Sequence, residues 1–188
     1  VLCRPTRQDA EEAVRTLIAY AGENPNREAL LDTPRRVVDA HEYFFSGYTV
    51  DTDNLLSKTF SASGYQDFIS LEAISFVSYC EHHLLPFEGK VHIAYFPFDN
   101  RIVGLSKLAR LVDVLSRRMQ VQERLTVEIA ETIQKGLNSP GVAVMVQATH
   151  QCIAHRGVCK DNVLTRTSHF LGAFEADHSL RDRWIQLI

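Results

Sequence analysis

Apolar residues recur every three or four positions in several stretches of the chain, and this spacing predicts amphipathic helices. The predicted helices cover residues 8–20, about 33–45, 106–118, 121–137 and 180–187. Gly22 ends the first of them, whereas Thr33 as N-cap and Pro34 at the first helical position begin the second. The N-terminal third is therefore expected to be helical.

The chain beyond this helical region alternates between apolar and polar positions, as half-buried strands do. Val91, Ile93 and Tyr95 lie on one side of a predicted strand over residues 90–96. Further strands are predicted over residues 68–78, 141–153 and 164–174. The order strand, strand, helix, helix, strand, strand predicts an antiparallel α+β domain. We assign residues 1–66 to an N-terminal helical region and connection, and residues 67–188 to the α+β catalytic domain.

Composition and charge narrow the range of functions. The 188 residues are 45% hydrophobic and 23% charged, with a formal net charge of −3, which is ordinary for a soluble globular protein. This charge gives no general attraction for nucleic acid or an anionic membrane surface. No apolar run approaches the roughly 20 residues that span a bilayer, and the first residues carry no signal-peptide pattern. We expect a cytoplasmic protein, although a removed targeting segment stays open.

Cysteine and histidine residues form two clusters in a chain that has only four cysteines and eight histidines. Cys80, His82 and His83 make up the first cluster, and His150 and Cys152 the second. Thiolate and imidazole are the ligands that zinc prefers, and three protein ligands leave a fourth position for water or substrate, as in catalytic sites. Metal binding or free thiols are therefore a better interpretation of the cysteines than structural disulfides.

The spacing within each cluster suggests which residues bind the metal and which transfer protons. The C-x2-H spacing favours His83 as a metal ligand and leaves His82 free to move protons, for which His150 also qualifies by residue type. If residues 141–153 form a strand that continues, alternation places His150, Cys152 and Arg156 on one face. The alternative is a cross-strand structural pair beside a surface arginine. Glu81 receives no role.

Ser106, Lys107 and Arg110 lie together on the polar face of a predicted helix, near its N-terminus. Cations beside free backbone N–H groups suit a phosphate. The alternative is a solvated basic face.

Gln122 and Glu123 open the next helix, and Gln122 lies within the apolar stripe. A buried amide needs a hydrogen-bond partner, and a carboxylate can accept two N–H groups from a purine base. The alternative for Glu123 is a simple preference for the helix N-terminus.

Taken together, these segments resemble GTP cyclohydrolase I over residues 31–174. The motifs that carry the resemblance are CEHH at 80–83, GLSKLAR at 104–110, QVQERLT at 120–126, and ATHQC at 148–152 with Arg156-Gly157. TPRRV at 33–37 and FSG at 45–47 are similar too, but less specific.

The resemblance implies a role for each candidate residue. Cys80, His83 and Cys152 would hold Zn²⁺, and the activated water would attack C8 of the guanine ring of GTP. His82 and His150 would be catalytic, moving protons at the opening imidazole ring and near the ribose. The products would be formate and 7,8-dihydroneopterin triphosphate, at the start of folate or tetrahydrobiopterin synthesis. The substrate-binding residues would be Gln122 and Glu123 for guanine, Ser106 near the sugar, and Lys107, Arg110, Arg156 and Arg36 for the triphosphate.

The resemblance also implies the tunnelling fold, an antiparallel sheet backed by helices, assembled as a homodecamer with active sites between subunits. Control by phenylalanine or by a regulatory protein partner stays open. The alternative function is a catalytically silent nucleotide- or pterin-binding regulator on the same fold. Cys3 and Cys159 have no implied role and are expected to be free thiols.

Overall fold

The computed structural model describes residues 4–188, and Cys3 lies outside the described residues. The chain divides between Phe45 and Ser46 into two compact units. The sequence-based division lies later, between residues 66 and 67, because the intervening segment is polar. This segment nevertheless belongs with the sheet, since Leu56 is completely buried in the main hydrophobic core.

The first unit consists of two α-helices, α1 (Arg7–Tyr20) and α2 (Thr33–Phe44), with a 3-10 helix between them (Glu28–Leu30). Helix α1 begins with a capping box, in which Thr6 and Asp9 bond reciprocally to each other's backbone N–H. Helix α2 begins one residue earlier than expected, because Asp32 and not Thr33 is its N-cap residue.

The second unit is built on a five-stranded sheet. Its elements in chain order are β1 (Thr59–Ser61), β2 (Ile69–Cys80), β3 (Pro86–Tyr95), β4 (Arg101–Val103), α3 (Leu105–Ser116), β5 (Met119–Gln120), α4 (Gln122–Leu137), β6 (Gly141–His150), α5 (Gln151–Ala154), β7 (Thr165–Gly172), α6 (Ala173–Ala176) and α7 (His178–Ile185), with a 3-10 helix at Ser46–Thr49. The sheet order is β5-β2-β3-β6-β7, and every pair is antiparallel except β2 with β5. The predicted α+β class and antiparallel sheet are confirmed.

Helices α3 and α4 cover one face of this sheet. The predicted apolar stripe of α4 is the reason: Leu125, Ile129 and Ile133 are completely buried, because residues four apart project from the same side of a helix. Strand β6 contributes Val142 and Val144 to the same core. The alternate residues of β6 point to the opposite face, where a smaller apolar cluster forms. That cluster consists of Phe68, Ala94, Ala143, Phe174 and Trp184.

Several strand and helix ends meet at one end of the sheet. Strand β2 ends at Cys80, which pairs with Gln120 of β5. Helix α4 begins two residues after Gln120. Strand β6 ends at His150, which lies opposite Phe87 of β3. The fold thereby brings both cysteine-histidine clusters and the N-terminus of α4 to the same end of the sheet.

Two features differ from the sequence-based expectation. Strands β1 and β4 form a separate antiparallel pair that was not predicted, since each strand has only three residues and the first lies in a polar connection. Strand β6 ends at His150 and is followed by a helical turn, α5, whereas the alternating pattern predicted a strand to residue 153. Within residues 4–188, no helix combines the length and apolar character needed to span a membrane.

Candidate active site

A tight turn between β2 and β3 carries the first cysteine-histidine cluster. The backbone N–H of Leu84 donates to the carbonyl of Cys80 at 2.8 Å, and the N–H of Cys80 donates to the carbonyl of Leu85 at 2.9 Å. Leu84 takes a left-handed conformation with φ of 55°, which non-glycine residues adopt rarely. The turn exposes His82 and His83 at the sheet end.

The candidate metal ligands Cys80, His83 and Cys152 come together as the sequence predicted. One ligand atom from each lies within 4.8 Å of the other two. The Nδ1 atom of His83 is 3.8 Å from the Sγ of Cys80. The Nδ1 atom of His82 is equally close to that sulfur, at 3.7 Å, but His82 is not part of the three-residue group. The geometry thus favours His83 over His82 as the ligand.

The electrostatics of the two thiols suit a cation. Burial raises the pKa of the Cys152 thiol, and the neighbouring Cys80 raises it further, since two adjacent thiolates repel each other. A divalent metal between the sulfurs would offset this repulsion, and two sulfurs with one imidazole form a donor set that fits zinc. Arg156 also lies beside the group, with its Nη1 2.7 Å from the Nε2 of His83.

Cys152 reaches the group by a different route from the one predicted. The prediction placed His150, Cys152 and Arg156 on one face of a continuous strand. In the structure, Cys152 lies in the helical turn α5, and Arg156 lies beyond its C-terminal end. Strand alternation therefore does not explain why these side chains are neighbours. The helical turn immediately after β6 folds Cys152 back towards Cys80.

His150 occupies the last position of β6, against the ring of Phe87. The two rings are stacked, with centroids 4.8 Å apart and planes inclined by 6°. Burial lowers the pKa of His150, whereas the negative charge of Glu123 opposes this shift. Among the described residues, the buried Nδ1 atom of His150 has no hydrogen-bond partner. Buried polar atoms nearly always have a partner, so this unpaired nitrogen is an exception in the fold.

Gln122 is buried, and only the nitrogen atom of its side-chain amide has hydrogen-bond partners. The Nε2 atom donates to the carbonyls of Val146 at 3.0 Å and Thr165 at 3.1 Å, and to the Oγ1 of Thr167 at 3.1 Å. The Oε1 atom is buried and has no partner among the described residues. These contacts confirm that the amide on the apolar stripe needs partners, and they fix the side chain with its acceptor oxygen free. Glu123 next to it is exposed.

The predicted phosphate-binding residues lie at the N-terminal end of α3. Ser106 and Arg110 are exposed and Lys107 is half-buried. Across residues 4–188, the side chains of these three residues make no hydrogen bond or ion pair with the cysteine-histidine group. Arg36 belongs to the first compact unit, where its guanidinium lies 3.4 Å from the carboxylate of Asp32.

The sequence interpretation missed two contacts at this site. Phe87 was not recognised as the residue that stacks on His150, because no short motif indicates a pairing between β3 and β6. Glu81 was left without a role, but its carboxylate pairs with Arg124 of α4 at 2.6 Å. The signal for this pair was the opposite charges in two motifs that converge at one site.

The comparison with known protein families tests the family resemblance that these site residues indicated. The sequence pattern of GTP cyclohydrolase I matches residues 10–188, nearly the whole chain. The chain belongs to the GTP cyclohydrolase I family. GTP cyclohydrolase 1 of Rickettsia bellii is 50% identical over 98% of this chain and 96% of its own length. The enzyme of Rickettsia prowazekii is 49% identical over 100% of this chain and 98% of its own length.

Membership in the GTP cyclohydrolase I family agrees with the observed sheet and its covering helices, and the tunnelling fold is confirmed. Among solved structures, an archaeosine synthase QueF-like protein in the apo form aligns with a TM-score of 0.46. That alignment has 20% identity and covers 58% of this chain and 97% of the other.

Replacing Gln122 with methionine tests its buried amide. The change removes the donor to two backbone carbonyls, and we expect the free energy of unfolding to fall by about 1–3 kcal/mol. Urea unfolding of both proteins at equal subunit concentration measures this loss. Gln134→Met, at a half-buried position of the same helix, is the matched control and should change stability less. Equal effects at both positions would contradict a specific role of the amide.

Proposed function

We propose that the chain is a zinc-dependent GTP cyclohydrolase I that opens the guanine imidazole ring of GTP by hydrolysis and releases formate and 7,8-dihydroneopterin triphosphate. The observation that carries this proposal is the convergence of Cys80, His83 and Cys152 in a chain of this family. A structural zinc site normally has four protein ligands, whereas three leave room for a reacting water.

The metal would be held by the two thiolates and the His83 imidazole. Zinc bound there would supply Lewis-acid activation of a water for attack on C8 of guanine. Cys80 is buried and Cys152 is half-buried, so the thiols lie at the inner side of the group. His83 is exposed and lies at the outer side of the group.

Proton transfer is assigned to His82 and His150. His82 is exposed and lies beside the thiol of Cys80, so it would be close to the activated water without being needed as a ligand. His150 is held flat against Phe87 and keeps one buried ring nitrogen unpaired. Its lowered pKa favours the neutral ring, which can accept a proton on one nitrogen and donate from the other.

Recognition of guanine is assigned to Gln122 and Glu123. The ring N–H and the exocyclic amino group of guanine are donors, and both side chains offer acceptors. Glu123 is exposed and offers the accessible acceptor, whereas the Oε1 of Gln122 is a buried acceptor without a partner directly beside it in the chain. The negative charge of Glu123 acts to raise the pKa of His150, so a base held by Glu123 would lie near a proton-transfer group.

The triphosphate is assigned to Lys107, Arg110 and Arg156, with Ser106 near the ribose and Arg36 as a further cation. Helix α3 begins without a side-chain N-cap hydrogen bond, and a helix N-terminus beside a lysine suits phosphate oxygens. Arg156 touches His83 and so connects the triphosphate site to the metal group.

Family membership implies a GTP substrate and an oligomeric enzyme, and the homodecamer with sites between subunits is our finer proposal. Two large apolar side chains near the site support an interface there, since Leu84 is 47% exposed and Leu105 is 53% exposed. A partner subunit at this end of the sheet would remove both side chains from water. We retain a cytoplasmic location and the absence of nucleic-acid partners as proposals.

Incubation of zinc-loaded protein with GTP tests the function. We expect equimolar formate and a pterin that becomes fluorescent after oxidation. GDP and ATP serve as matched controls, since they alter the triphosphate and the base separately. Metal-loaded, assembled protein that binds GTP without releasing either product would instead indicate a catalytically silent regulator.

A further inference from the structure

An ion pair joins the metal-ligand turn to the helix that carries the base-binding residues. The carboxylate Oε2 of Glu81 accepts a hydrogen bond from the Nη2 of Arg124 at 2.6 Å. Glu81 directly follows Cys80 in the chain, and Arg124 directly follows Glu123. The pair therefore connects neighbours of a metal ligand and of a guanine-binding residue.

Arg124 is itself held firmly by the residues before the helix. Its Nε donates to the Oε1 of Gln120 at 2.9 Å, and its Nη2 also donates to the carbonyl of Met119 at 2.8 Å. Gln120 is only 1% exposed and its Nε2 donates to the carbonyl of Leu115. A planar guanidinium with three acceptors loses little further freedom when it binds a carboxylate.

The turn is anchored at Glu81 on both its backbone and its side chain. The backbone N–H of Glu81 donates to the carbonyl of Gln120 at 3.0 Å, and its carboxylate reaches Arg124. His82 and His83 follow without such an anchor to this segment. The orientation of Glu81 therefore influences the direction in which both histidines leave the turn.

We propose that Glu81 and Arg124 are positioning residues that set the metal-ligand turn at a fixed distance from the guanine-binding end of α4. This inference rests on the proposed function. Because the side chains of Glu81 and Arg124 are 35% and 42% exposed, their pairing adds little to folding stability. Its contribution is instead to the alignment of the metal group with the bound base.

The series Glu81→Ala, Glu81→Gln and Arg124→Ala, with the double variant Glu81→Ala/Arg124→Ala, tests the proposal. For Glu81→Ala we expect kcat to fall about 10- to 100-fold, as for loss of other residues that orient metal ligands, with KM for GTP changed less than about 3-fold. Glu81→Gln should recover most of the activity, since its amide oxygen still accepts from Arg124. The double variant should be no worse than the worse single variant, because the pair acts as a unit.

Cobalt substitution provides a readout that does not depend on turnover. Glu81→Ala should shift the visible absorption bands of the Co²⁺-loaded protein, whereas Glu81→Gln should keep those of the wild type. The matched control is Asp53→Ala, which removes the exposed pair with Lys135 near the other end of α4 and should change neither kcat nor the spectrum.

Three results would overturn the proposal. They are wild-type kcat and spectrum in Glu81→Ala, a Glu81→Gln variant as slow as Glu81→Ala, and single-variant effects that multiply in the double variant. The second result would assign Glu81 a direct role through its charge. Absence of formate from the wild-type enzyme would refute the proposed function alone, since the cobalt spectra still test the positioning of the turn.

Discussion

Replacing Cys152 with serine is expected to weaken zinc binding by more than about 100-fold, beyond the loss caused by changing a residue that only orients a ligand, and to abolish formate release. Cys152 supplies one of only two sulfurs in the group. A serine hydroxyl is a harder donor and does not ionise near neutral pH, so it cannot replace a thiolate.

Competition with a chromophoric chelator measures the zinc affinity of Cys152→Ser, and formate release is assayed on the same samples. Cys159→Ser is the matched control, since Cys159 is a free and exposed thiol with no proposed role, and it should bind zinc as the wild type does. Unchanged zinc affinity in Cys152→Ser would refute the proposed coordination.

The helices were the most predictable part of the fold, and α3 and α4 show why. Leu108 and Leu111 in α3 are completely buried, as are Leu125 and Ile129 in α4. Each pair lies on a stripe that can be recognised within one element from the 3.6-residue period. The sheet that covers the stripe does not have to be known, because any apolar face at this spacing must be buried somewhere.

The end of β6 shows where local patterns were insufficient. Alternation continued past His150, and Ile153 has the β-branched side chain that strands favour, so a strand was the natural expectation. The chain instead makes a helical turn over Gln151–Ala154. The candidate ligand Cys152 was thus identified by its chemistry and by the family resemblance, while the assumed local geometry was wrong.

The pair between Glu81 and Arg124 could not be predicted from local sequence patterns either, but for a different reason. The two residues are 43 positions apart, and their contact depends on the parallel pairing of Cys80 with Gln120. Strand β5 has only two residues, too few to produce a period in the sequence. Contacts that depend on such short pairings become visible only when the sheet is assembled.

Replacing His82 with serine is expected to leave zinc bound and to lower kcat about 100- to 10,000-fold, the range associated with loss of a general acid or base. Two thiolate ligands would neutralise much of the charge of a zinc ion at this site, so the ion would acidify a nearby water less than it would among three histidines. A proton-transfer group is then needed more strongly. The structure leaves His82 outside the three-residue metal group but beside the Cys80 sulfur, where it can serve the reacting water.

Metal content by elemental analysis and single-turnover formate release separate binding from chemistry in His82→Ser. His155→Ser is the matched control, because His155 is exposed and follows Cys152 by three residues without a proposed role, and it should keep wild-type turnover. Loss of zinc from His82→Ser would make His82 a ligand and contradict its assignment to proton transfer beside the ligand His83. Retained zinc with wild-type turnover would transfer the proton-transfer role to His150, whose unpaired ring nitrogen then becomes the remaining candidate.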